Sequence, residues 1–117
     1  MISLDDIRAA AGRIAPHVRS TPTIEVAAVS EPVTDARLML KLECMQATGS
    51  FKARGATNKL LTLPRDELAQ GIVTASGGNH GLAVARAARL AGVPATVFVT
   101  ESATAEKREK LKRWGAA

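Results

Sequence analysis

Apolar residues first recur at helical spacing. Ile7, Ala10, Ala11 and Ile14 fall three and four apart until Pro16, and Ser3 followed by Asp6 has a capping arrangement, so a helix is predicted from Leu4 to Ala15. Turn residues fill Ser20-Thr21-Pro22 and the segment from Ser30 to Asp35. The period then changes to two: Leu38, Leu40 and Leu42 share one face of a predicted strand from Arg37 to Glu43. A polar stretch, Gln46 to Ser50, leads into a helix from Phe51 to Leu61 with Ala53, Ala56, Leu60 and Leu61 on its apolar face. Ser50 is expected as its N-cap, which puts Lys52 in the first turn. A short helix around Pro64 to Ala69 stops at Gly71. Next come a strand from Ile72 to Ala75, a turn at Gly77-Gly78, and an alanine-rich helix from Asn79 to Ala91 closed by Gly92. A strand from Ala95 to Thr100 and a helix from Thr104 to Trp114, closed by Gly115, complete the pattern.

Strand, helix, strand, helix at these lengths is the signature of an α/β protein with a parallel sheet. Two parallel strands do not bury both faces of a sheet, and the sequence stops where a third is due, so further strands are expected beside them. The chain has 117 residues, 46% hydrophobic and 23% charged, which excludes intrinsic disorder and collagen-like structure. Acids outnumber bases up to position 36, and the net charge of +5 comes from the residues beyond it. Phe51, Phe98 and Trp114 are the only aromatics, too few to stack on nucleic-acid bases, so the basic excess points to a small anion. The start lacks the order of a signal peptide, and no apolar run approaches about 18 residues, so no membrane partner and a cytoplasmic location are expected. Cys44, the single cysteine, is expected to be a small buried side chain, and no metal site is expected from His17 and His80.

Two places carry candidate chemistry. A helix N-terminus opposes a cation, so Lys52 breaks a local rule in the way functional residues do, although a solvated surface lysine is the plain alternative. Ser76-Gly77-Gly78-Asn79-His80-Gly81 lies between a predicted strand and a predicted helix, where glycine permits close approach and free helix N–H groups receive a carboxylate or phosphate. The plain alternative is a turn with Asn79 as cap. Neither a dinucleotide fingerprint nor a P-loop is present. Lys107, Arg108, Lys110, Lys112 and Arg113 form a basic run that pairing such as Glu106 with Lys110 explains as a solvated helix face.

Thr48-Gly49-Ser50-Phe51-Lys52-Ala53-Arg54-Gly55-Ala56, followed by Ser76-Gly77-Gly78-Asn79-His80-Gly81, resembles the threonine/serine dehydratase family, and the likeness extends from Ser20-Thr21-Pro22 to Ala95-Thr96-Val97-Phe98-Val99. These are fold-type II enzymes dependent on pyridoxal 5'-phosphate. The resemblance implies that residues 1–68 are the N-terminal part of a large cofactor domain and that 69–117 open a small α/β domain. It implies that Lys52 holds the cofactor as a Schiff base, that Phe51 packs beside its ring and that Asn79 bonds the ring's phenolic oxygen. Ser76, Gly77, Gly78 and His80 would clasp the substrate carboxylate. Cysteine synthases lack a Phe before the lysine and carry Thr where His80 stands, and threonine synthases carry Asp where Ala53 stands. The glycine-rich phosphate loop and the partner of the pyridine nitrogen, which such enzymes carry later, have no counterpart here, so the chain resembles about the first third of one.

The implied reaction is conversion of a β-hydroxy amino acid to a 2-oxo acid and ammonia, with homo-oligomerisation of the complete enzyme. The rivals are an amino-acid racemase or β-eliminase of the same fold, and a non-catalytic fragment that binds an anion or a partner chain. In related serine racemases a second Ser follows the first of the loop and acts as acid/base. Gly77 stands there here, which favours elimination over inversion.

Overall fold

The computed structural model describes residues 1–26, 30–31 and 34–117. Helix α1 spans Leu4–Ile14, closed at its start by the reciprocal Ser3–Asp6 capping box, and Pro16 diverts the chain into a 3₁₀ turn at Ala15–His17. Strands β1 (Thr23–Glu25) and β2 (Met39–Lys41) pair antiparallel, with Thr23 opposite Lys41. Helices α2 (Lys52–Thr62) and α3 (Arg65–Ala69) follow, then β3 (Ile72–Ala75), α4 (Asn79–Ala91), β4 (Ala95–Phe98) and α5 (Ala105–Arg113).

Strands β3 and β4 pair in parallel, Ile72 beside Ala95 and Ala75 beside Phe98. On the other edge of β4, Ala116 bridges Ala95 in the parallel sense, and Val97 N–H donates to the Ala117 carbonyl at 2.8 Å. The third pairing thus begins where the expected next strand falls. One face of this sheet is packed. Ala83, Val84, Ala87 and Ala88 of α4 form a single core with Ala95 and Val97 of β4, Leu111 of α5, and Ala56 and Leu60 of α2. Alanine on α4 lets α2 approach closely, and the mixture of small side chains with Leu and Val fills the space between. Among the described residues nothing covers the opposite face of the sheet, where Val73 and Phe98 are more than 60% exposed.

Several expectations are corrected here. The strand predicted over Arg37 to Glu43 shortens to three residues because the chain turns into a 3₁₀ turn at Glu43–Met45, and β1 pairs with it without showing any alternation of its own. Cys44 is exposed on the 3₁₀ turn, while Gln46 just after it is buried. Leu61 is 43% exposed rather than part of the apolar face of α2. The strand predicted to Thr100 ends at Phe98. Residues 32 and 33 of the expected turn at Ser30 to Asp35 lie outside the described residues. The Glu106–Lys110 pair on α5 is present at 2.6 Å. Among the described residues no helix is long and apolar enough to cross a membrane.

Candidate functional site

Helical dihedrals begin at Phe51, with φ −59° and ψ −18°, so Lys52 is the first residue of α2. Ser50 therefore sits one position too early to cap, which corrects the expectation for it. Its carbonyl accepts from Ala53 N–H at 3.4 Å, while its hydroxyl, on a residue only 6% exposed, has no partner. Lys52 is exposed, and among the described residues it has no hydrogen bond or ion pair. Its ammonium stands 5.1 Å from the centre of the Phe51 ring. Phe51, Lys52, Lys59, Thr74 and His80 line a cavity of about 520 Å³ between α2, β3 and the start of α4, and among the described residues no carboxylate lines it. That volume lies within the usual range for small-molecule sites.

The second motif forms the turn from β3 into α4. Ser76 N–H donates to the Phe98 carbonyl at 2.9 Å, and the Ser76 hydroxyl accepts from Gly78 N–H at 3.3 Å. Gly78 is the N-cap in extended conformation and Asn79 is the first helical residue, so Asn79 does not cap. The first N–H groups of α4 are left without a side-chain cap, as an anion-receiving helix start requires. Of the residues singled out from sequence, Phe51, Lys52 and His80 share one cavity. Asn79 lines a neighbouring one of about 790 Å³ with Thr48, Arg89 and Trp114. Ser76, Gly77 and Gly78 form the turn between β3 and α4.

Sequence reading includes Gly81 in the motif but passes over a role of its own for it. A Cβ there would lie 2.1 Å from the Ser76 carbonyl oxygen and 3.1 Å from Val97 Cγ1, so only glycine lets α4 lie this close to the turn and β4. It also passes over a polar cluster behind Lys52. Arg54 grips Glu43 through two parallel bonds, Nε to Oε2 at 2.8 Å and Nη2 to Oε1 at 2.7 Å, and the Thr21 hydroxyl donates to Oε1 at 2.6 Å. The Arg54 hydrogen bonds above all, with help from Thr21 and the nearby Arg54 and Lys41 charges, hold the Glu43 carboxyl down at about 2 against the cost of its burial. Gln46, 2% exposed, accepts from Arg19 N–H at 2.8 Å and donates to the Arg19 carbonyl at 2.9 Å. Lys41 adds a bond to the Thr21 carbonyl. The one signal for this cluster in the sequence is Arg54 itself, a second cation in the first turn of a helix that has no acid there.

Comparison with known proteins shows the family. Residues 14–117 match the family described as pyridoxal-phosphate dependent enzyme. The chain is 43% identical over 116 residues to the catabolic L-threonine dehydratase TdcB of Staphylococcus aureus strain USA300, covering 99% of this chain and 34% of that protein. It thus spans about a third of the length of the curated relatives it matches. Among solved structures, serine racemase from Dictyostelium discoideum superposes with a TM-score of 0.90 at 37% identity, over 99% of this chain and 38% of that one. The threonine deaminase of T.th. superposes with a TM-score of 0.83 at 40% identity, over 98% of this chain and 35% of that one. An α/β fold with a parallel sheet, a lysine open to a cavity at a helix start, and these matches agree: the chain belongs to the pyridoxal-phosphate dependent enzymes of fold-type II.

Proposed function

We propose that this chain carries the lysine-bearing helix and the carboxylate-clasping turn of a pyridoxal-phosphate-dependent threonine/serine ammonia-lyase. Residues 1–68 belong to its large domain and 69–117 to its small one. The observation that carries the reading is Lys52 at the start of α2, exposed, unpaired among the described residues, and sharing a carboxylate-free cavity with Phe51 and His80. The residues present fit the cofactor: an accessible amine for its aldehyde, an aromatic ring beside that amine, and the buried, unpartnered Ser50 hydroxyl close by in sequence.

When bound, the cofactor supplies an electron sink for the charge left on the substrate α-carbon. The chain supplies the rest. Lys52 Nζ is the attachment point and, when free, the base that takes the α-proton. Phe51 would flank the ring, and Asn79, at the start of α4 beside the neighbouring cavity, would bond its phenolic oxygen. The uncapped turn of Ser76, Gly77 and Gly78, with His80, holds the substrate carboxylate against the start of α4. The substrate is a β-hydroxy amino acid, which leaves as a 2-oxo acid and ammonia. A homo-oligomer in the cytoplasm completes the reading.

The racemase alternative is weaker at Gly77. Inversion by two bases needs a proton donor on each face of the reacting carbon, and glycine supplies none. A Cβ at Gly77 would meet nothing closer than Val99 Cγ1 at 3.7 Å, so Gly77→Ser is a clean test. A family-length protein carrying this sequence, given L-serine, is expected to form pyruvate and ammonia far faster than D-serine, and Gly77→Ser is expected to raise the D-serine share. D-serine appearing as fast as pyruvate in the unmodified protein would sink the lyase reading. Borohydride reduction with the cofactor, followed by peptide mapping, should label Lys52; label on Lys41 or Lys59 alone would end its assignment.

A further inference from the structure

The first turn of α2 holds two cations and no acid. The helix dipole opposes both, and only one is answered. Arg54 meets the carboxylate of Glu43, brought by the 3₁₀ turn after β2, in a two-bond fork. Its Nη2 also reaches Thr21 Oγ1 at 3.3 Å and the Arg19 carbonyl at 3.4 Å. Gln46 clasps Arg19 from the other side, so the segment 19–21, the turn at 43–46 and the start of α2 are tied together. Lys52 takes no part in this.

Geometry explains the division. Residues two apart on a helix are turned about 200° from one another, so Arg54 and Lys52 project from nearly opposite sides of α2. Arg54 lines a groove of about 620 Å³ against α1, and Lys52 lines the cavity beside β3. A clamp on one side of a helical turn fixes its roll about the helix axis, and hence the direction of the side chain on the other side.

We infer that Arg54 and Glu43 are positioning residues for Lys52. The fork sets the roll of the first turn of α2 so that the Lys52 amine faces the cavity. The inference rests on the reading of Lys52 as the cofactor-bearing lysine. A planar, bidentate contact is what such a role requires, because a single point contact would leave the roll free.

The test uses a family-length protein carrying this sequence and pyridoxal 5'-phosphate, with borohydride trapping, peptide mapping and circular dichroism on each variant. In the unmodified chain the label is expected on Lys52; its absence there would overturn the functional reading itself. Given that label, Glu43→Gln and Arg54→Lys should each slow trapping at Lys52 by about tenfold or more, with a larger share of label on Lys41 and Lys59, while helix content is kept. The reversed pair Glu43→Arg with Arg54→Glu should recover part of the rate, which a merely destabilising pair of changes would not do. Folded Glu43→Gln and Arg54→Lys chains that trap at Lys52 at the unmodified rate would overturn the inference. Should Glu43→Gln fail to fold, Thr21→Val removes one hydroxyl from the cluster and decides instead: slowing of about two- to threefold supports the clamp, and an unchanged rate in both Thr21→Val and Arg54→Lys overturns it.

Discussion

Lys52 and Asn79 each occupy the first residue of a helix, and neither helix has a side-chain cap. Around Lys52, rigidity comes from side chains: Arg54, Glu43, Thr21 and Gln46 join three stretches of chain through charge-assisted and buried hydrogen bonds. Around Asn79, it comes from backbone proximity. Gly81 lets α4 descend onto the Ser76 carbonyl, and Ser76 is pinned to β4 by its own N–H. A reactive side chain needs its direction held, which takes directional bonds. A turn that receives a carboxylate needs its N–H groups exposed, which takes the absence of side chains.

The sharpest way to break this comparison is Lys52→Ala. It should abolish covalent attachment of the cofactor at α2 while leaving the urea midpoint almost unmoved, within about 0.5 kcal/mol, because the lysine makes no bond that the fold uses. A large loss of stability would show that Lys52 belongs to the clamp. On the other helix, Gly81→Ala should destabilise by about 3 kcal/mol, since the new Cβ meets a backbone oxygen that cannot step aside. Gly78→Ala, whose nearest neighbour would be the Ser76 hydroxyl at 3.9 Å, should cost only about 1 kcal/mol, the ordinary loss of glycine at an N-cap. Equal effects of the two, by chemical denaturation, would remove backbone proximity as the cause.

A third measurement separates the two helix starts by acid. The Glu43 carboxyl sits at about 2 in the folded chain against an ordinary value of 4.5, so the folded state binds fewer protons between these limits. The stability it contributes is present above about pH 4.5 and is lost as the pH falls toward 2. Glu43→Gln should flatten that decline, and an unchanged acid slope in the variant would place the sensitivity elsewhere. Smallest of all, Ser50→Ala should leave stability within about 0.5 kcal/mol, because the hydroxyl it removes has no partner to lose. A clear drop would mean that Ser50 caps α2 after all.

Legibility from sequence follows the range of the interactions. The span from Ile72 to Phe98 reads well because its signals are local: an apolar period, glycine at Gly92 with φ +71°, and a strand on each side. Lys52 and the Ser76–Gly81 turn stand out because each breaks a local rule. The partners of Arg54 do not, since Glu43 is 11 residues away and Thr21 is 33, and no periodicity records a bond across such a gap. Ser50 reads as a cap for a related reason: the pattern marks where a helix starts only to within a residue or so, and one residue decides whether a hydroxyl reaches the free N–H groups. Strand β1 escapes because three residues are too few to alternate.

The cluster that joins Arg19, Thr21, Glu43 and Arg54 also sets two clocks in the molecule. The βαβ unit of 72–98 lies at the centre of the core, so its amides should open to exchange only with the core as a whole. The start of α2 is tied through polar contacts to a segment some 30 residues upstream. Amide exchange at Ala53 and Arg54 should therefore run ahead of that in α4, and speed further when Thr21 or Gln46 is changed, so that the N-terminal segment acts as a latch on the lysine turn that can spring without the sheet letting go.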